Sequence, residues 1–187
     1  NIVKDSVAAM VSGNDNTVAD SRLSIVVGND RKVNGAVNTV ILGNNTTDTE
    51  EVTADNAVLL GTNAGVTVDG GVAIGAKSLA DTAAGVQGWN AKGETSDASS
   101  WKSTGSAVSI GNTSEGITRQ LTGVAAGSKD TDAVNVAQLK AVYDSMSSSL
   151  ENAGTTLSVN GGTKDNIQGT EPKNLVITRT DSHYDVS

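Results

Sequence analysis

Among its 187 residues the chain has no cysteine, no phenylalanine, one proline and one histidine. The missing cysteine excludes disulfide staples and thiolate metal sites. His183 stands alone, and nothing in the sequence brings it together with a serine and an aspartate, so no catalytic residue is assigned. No glycine-rich phosphate loop ending in Lys-Ser or Lys-Thr occurs. Basic residues are scarce too: 13 Lys and Arg against 21 Asp and Glu give a net charge of −8, without the basic stripe that a nucleic-acid binder needs. No apolar run is long enough for a membrane-spanning helix or a signal peptide. Two Trp and two Tyr are too few aromatics for an ordinary compact core in a chain of this length.

What the chain does have is 21 glycines and a recurring phrase: a small residue, two to four apolar residues, then Gly. It appears as Ala8-Ala9-Met10-Val11-Ser12-Gly13, Ser24-Ile25-Val26-Val27-Gly28, Thr39-Val40-Ile41-Leu42-Gly43 and Ala57-Val58-Leu59-Leu60-Gly61. It returns as Val72-Ala73-Ile74-Gly75 and Ala107-Val108-Ser109-Ile110-Gly111. The closing glycines stand 15, 15, 18, 14 and 36 positions apart. A short period that tolerates insertions marks a stacked repeat. Between the phrases lie weaker apolar elements, such as Thr17-Val18-Ala19 and Lys32-Val33-Asn34, so each repeat reads as two short strands. Turns such as Gly28-Asn29-Asp30 supply residues that tolerate a left-handed backbone. The reading is mainly β: a parallel β-roll or β-helix over residues 1–115, with a thin core of Val, Ile, Leu and Ala. Residues 81–105 break the rhythm and read as an inserted loop carrying Trp89 and Trp101, which either pin the loop to the roll or touch a ligand.

The character changes after the roll. Residues 116–138 are a non-repetitive connector. Val136, Leu139, Tyr143, Met146 and Leu150 then alternate at spacings of three and four, a heptad stripe, with Asp132 as a candidate N-cap and Gly154 as a candidate stop. Residues 139–153 read as a coiled-coil segment too short to stand alone. From 154 to 187 the chain is β-like again (Thr156–Val159, a turn at Asn160-Gly161-Gly162, Leu175–Thr178 after Pro172) and reads as the start of another small module.

The run from Arg119 to Lys140, RQLTGVAAGSKDTDAVNVAQLK, closely resembles the neck of trimeric autotransporter adhesins, fibrous surface proteins of Gram-negative bacteria, and the repeat phrases resemble their heads. The order head, neck, heptad stalk agrees. The resemblance implies a homotrimer in which each chain contributes a left-handed parallel β-roll, an interlocked neck and a short trimeric coiled coil. Trimer and neck contacts would come from Arg119, Leu121, Val124, Asp130, Asp132, Val136, Leu139, Tyr143, Met146 and Leu150. It further implies exposure at the bacterial surface, attachment to host matrix, host cells or other bacteria, and a membrane anchor through a C-terminal barrel absent from this sequence. No metal or cofactor is expected. Asp69-Gly70-Gly71 has the look of a calcium-repeat turn, but the full nonapeptide is missing.

Other classes fit less well. A left-handed β-helix acyltransferase needs hexapeptide periodicity and a histidine between coils, and no histidine lies in the repeats. An ice-binding solenoid needs ranks of Thr at constant offset. A structural spacer, with adhesion elsewhere in the fibre, is the serious alternative.

Overall fold

The computed structural model describes residues 1–47, 51–90, 92–93, 95–155, 177–180 and 183–186. Two units can be distinguished, Asn1–Leu139 and Lys140–Ser187. The first is built from twelve short strands in chain order: β1 (Ile2–Lys4), β2 (Met10–Ser12), β3 (Thr17–Ala19), β4 (Ile25–Val27), β5 (Lys32–Asn34), β6 (Val40–Leu42), β7 (Glu51–Val52), β8 (Val58–Leu60), β9 (Gly65–Val66), β10 (Val72–Ile74), β11 (Leu79–Ala80) and β12 (Val108–Ser109). The even strands form one six-stranded sheet, β2 to β12 in order. The odd strands form a four-stranded sheet, β1-β3-β5-β7, and a pair, β9-β11. All of these pairings are parallel. This is a parallel β-solenoid with two strands per coil, as the sequence reading expects.

The register follows the sequence period. Met10 pairs with Ile25, Ile25 with Val40, Val40 with Val58, Val58 with Val72, and Val72 with Val108. Each step thus equals the spacing of the closing glycines, insertions included. Because side chains alternate across a strand, the central residue of a three-residue strand points inward. Val18, Val26, Val33, Ile41, Leu59 and Ala73 are accordingly buried, joined at the corners by Ala36, Ala57 and Ala64.

The corners explain the glycines. Gly13, Gly28, Gly43, Gly61 and Gly75 all have positive φ, from 103° to 155°. A Cβ on any of the first four would run into the carbonyl group of the next glycine in the column. Glycine is therefore required twice over, by its dihedral and by close stacking. Other corners place Asp15, Asp20, Asp30, Asn38 and Asn56 in the left-handed region, which short polar side chains tolerate. Leu23 sits there as well, at φ 52°.

In the inserted segment, Gln87 and Lys102 form an antiparallel bridge, so it is a hairpin-like arm rather than an open loop. Helix α1 (Val136–Thr155) carries the heptad positions. Its start differs from expectation: Asn135, not Asp132, is the cap. Gln138 N–H donates to Asn135 Oδ1 at 3.1 Å, and Asn135 N–H donates back to Gln138 Oε1 at 3.3 Å. That reciprocal pair is a capping box with Asn and Gln in the two roles. Gly154 lies within the helix and does not stop it. Strands β13 (Ile177–Thr180) and β14 (His183–Val186) pair antiparallel. The expected strand at 156–159 and its following turn, Pro172 and the first residues of the 175–178 strand fall outside the described residues.

Candidate functional site: an apolar sheet face and the head–neck junction

The two main sheets present opposite chemistry outward. On the four-stranded sheet, the residues flanking the buried centres are Ile2 and Lys4, Thr17 and Ala19, Lys32 and Asn34, and Glu51. On the six-stranded sheet they are Met10 and Ser12, Ile25 and Val27, Val40 and Leu42, Val58 and Leu60, Val72 and Ile74, with Val108 at the edge. Only Ser12 is polar in that second set. Met10 is 54% exposed, Leu42 44%, Ile74 42% and Val108 63%. A monomer does not ordinarily leave two parallel columns of Val, Leu and Ile facing water.

A column of side chains along the inner corner serves the corner carbonyls. Asn1 Nδ2 donates to the Gly13 carbonyl at 2.8 Å and Asn16 Nδ2 to that of Gly28 at 2.7 Å. In the next coil the role passes to Arg31, which is 2% exposed. Its Nε donates to the carbonyl of Gly43 at 2.8 Å, Nη2 to Gly61 at 2.9 Å and Nη1 to Ala64 at 3.1 Å. One guanidinium thus bridges the coil carrying the 18-residue spacing. Sequence reasoning missed Arg31; the signal was its place in the column Asn1, Asn16, Arg31 at intervals of 15.

At the end of the roll Arg119 does comparable work. It donates to the carbonyls of Ile110 and Ala76, both at 2.6 Å, and to Ser78 Oγ at 3.1 Å. An open cleft of about 380 Å³, lined by Leu79, Val108, Ile110, Ile117 and Arg119 among others, lies beside it. Further along the connector, Asp132 Oδ2 accepts backbone N–H bonds from Ser128 at 2.9 Å and Lys129 at 3.0 Å. Those two bonds hold its carboxyl below the usual carboxylate range. Gln138 closes the loop, donating to the Gly127 carbonyl at 2.9 Å and accepting from Gly127 N–H at 3.0 Å. Asp130 is exposed and takes no part in this turn.

The apolar connector and helix residues are bare in a single chain. Leu121, Val134 and Val136 are 68%, 71% and 67% exposed, and with Val124 they line an open notch of about 320 Å³. Leu139, Tyr143 and Met146 are likewise exposed. The side chain of Leu150 is outside the described residues. On the arm, Trp101 is half exposed and its carbonyl accepts from Gly88 N–H at 2.6 Å, whereas Trp89 is 85% exposed and does not pin the arm to its own roll.

The family model for the coiled stalk of trimeric autotransporter adhesins matches residues 120–169. Two curated relatives that the chain resembles are adhesins of this trimeric autotransporter kind. It is 45% identical over 117 residues to the autotransporter adhesin BadA of Bartonella henselae, a match covering 58% of the chain and 4% of BadA. To the trimeric autotransporter adhesin AtaA of Acinetobacter sp. (strain Tol 5) it is 54% identical over 66 residues, covering 34% of the chain and 2% of AtaA. The chain therefore spans a small fraction of the length of either relative. A solved structure described as a C-terminal YadA-like domain from Burkholderia pseudomallei aligns at 24% identity and TM-score 0.44, over 70% of the chain and 54% of that structure. Among the described residues of the chain, no helix is long and apolar enough to cross a membrane.

Proposed function

We propose that three copies of this chain assemble as the head, neck and first stalk turns of a non-enzymatic bacterial surface adhesin. The observation that carries the reading is the contrast between the two sheets: outward columns apolar but for Ser12 on one, mostly polar on the other. Three apolar faces meeting about one axis satisfy the exposed columns with closed symmetry. Each half-exposed Val, Leu or Ile removed from water contributes on the order of 1 kcal/mol. The same assembly accounts for the neck notch, into which a neighbouring neck packs, and for the heptad stripe Val136, Leu139, Tyr143, Met146, Leu150, which joins two others as a trimeric coiled coil. On this reading the roll stands at the outer surface of a Gram-negative cell in a fibre anchored by a barrel. Attachment to host matrix, host cells or other bacteria then falls to the outward polar face of the roll and to the arm.

The test pairs assembly with attachment. Deleting residues 81–105 in the full-length adhesin should reduce adherence to host cells or matrix, the oligomeric state being measured in parallel so that lost attachment is told apart from lost assembly. If that deletion and substitutions of Lys32 and Glu51 on the polar face both leave adherence unchanged, the roll is a spacer and binding resides elsewhere.

A further inference from the structure

We infer that the arm formed by residues 82–107 is a clasp between copies of this chain, with Trp89 the side chain that docks on the neighbour. The inference rests on the homotrimer reading and adds an element to it. The arm is held together by its own hydrogen bonds: Gly85 N–H to the Ser103 carbonyl at 2.8 Å, Ser103 N–H to Val86 at 3.1 Å and Gly88 N–H to Trp101 at 2.6 Å. Gln87 bridges its two sides, donating to the Trp101 carbonyl at 3.1 Å while its Oε1 accepts from Ser96 N–H at 3.4 Å. Among the described residues, the hydrogen bonds tying the arm to the roll lie at its base: Ser106 Oγ to the Asp69 carbonyl at 2.6 Å, and Val72 N–H to the carbonyl of Ala107 at 3.1 Å. The arm is thus a preformed projection and not a strap across its own coils.

Its root fixes where it points from. Ala107 leads directly into Val108, the edge residue of the outward column Met10, Ile25, Val40, Val58, Val72, Val108. The arm therefore springs from the corner at which each coil turns into the apolar sheet, continuous with the surface that neighbouring copies cover. The seven steps from Thr82 to Trp89 reach up to about 23 Å at full extension, whereas a roll side three residues wide spans about 10 Å. An arm rooted at the edge of the apolar sheet is within reach of a copy packed on that sheet. It carries there Val86, 53% exposed, and Trp89, 85% exposed, in a chain otherwise almost without aromatics. An exposed Trp on an element held by its own hydrogen bonds is a residue type enriched among interface anchors.

The experiment uses the two-tryptophan composition. In Trp101→Phe, emission comes from Trp89 alone, and acrylamide quenching is measured on a sample whose absolute mass is determined in parallel. The clasp predicts blue-shifted emission and quenching several-fold weaker in the trimer than in a Leu60→Asp variant that breaks the sheet face. A trimer whose Trp89 quenches like free tryptophan overturns the clasp and leaves the homotrimer standing. Shielding that appears only when matrix protein is added overturns it too, assigning Trp89 to an outside partner. A species of 18.8 kDa at every dilution overturns both. Should Trp101→Phe fail to fold, fluorine NMR of 5-fluorotryptophan in the unaltered chain reads the same exposure, resonances being assigned with Trp89→Phe.

Discussion

Arg119 closes over Gly75. In earlier coils the space beside each column glycine is filled by the next glycine's carbonyl, but beside Gly75 it is filled by this guanidinium. With bonds to the carbonyls of Ile110 and Ala76 and to Ser78 Oγ, Arg119 takes the place that the next glycine's carbonyl fills in the earlier coils, above which β12 adds one last strand. Solenoids need a terminal cap, and here the neck supplies one. The roll and the segment that follows it are coupled through that side chain.

Arg119→Ala should therefore lower the melting temperature by several degrees, a loss of about 1–3 kcal/mol for orphaned carbonyls. Its acceptors are backbone carbonyls and a hydroxyl. Raising the salt should leave the deficit in place, whereas ion pairs crossing between chains would be screened. Melting curves of the wild type and the variant at low and high salt separate the two.

Arg31→Met should cost more, on the order of 3 kcal/mol, because three carbonyls lose their donor at a buried corner. Chemical denaturation would show an earlier midpoint. Hydrogen exchange would show early opening confined to the coils around Gly43, Gly61 and Ala64.

Corner chemistry yields a pair of opposite effects. Gly61→Ala places a methyl against the Gly75 backbone at φ 143° and should destabilise by several kcal/mol. Leu23→Asn substitutes the residue type that Asn38 and Asn56 already provide at left-handed corners and should stabilise by about 1 kcal/mol. Thermal melts of the two variants should move in opposite directions.

The fold was legible where one periodicity governs it. The 15-residue phrase named both strands of a coil and their register, because parallel stacking turns sequence period directly into pairing. The inner corner was legible only in part. Asn1, Asn16 and Arg31 share a column, but Arg31 has no chemical likeness to asparagine, so its role emerges only from the carbonyls it reaches. Asp132 was misplaced for a similar reason: two candidate caps lay three residues apart. The capping box went to Asn135 because Gln138 stands three positions beyond it, leaving Asp132 to accept from Ser128 and Lys129. The bare Trp89 was beyond sequence reasoning, since composition does not say whether an inserted tryptophan faces in or out.

Asp132 adds a pH dependence with a defined sign. Its carboxyl is held below the ordinary value by two backbone N–H bonds, so the folded neck binds the proton less readily than the unfolded chain. The stabilisation is present above the unfolded pKa and is lost as pH falls through the lower folded value. Wild type should melt above Asp132→Asn at neutral pH, and the two curves should converge in acid.

Absolute mass by light scattering during gel filtration, over a hundredfold dilution, tests the homotrimer most directly. The apolar sheet face predicts a species of about 56 kDa, three times 18.8 kDa, that resists dilution, and Leu60→Asp should convert it to single chains. A folded species that stays at 18.8 kDa throughout would contradict the account, because the outward columns of Val, Leu and Ile would then face water in a stable monomer.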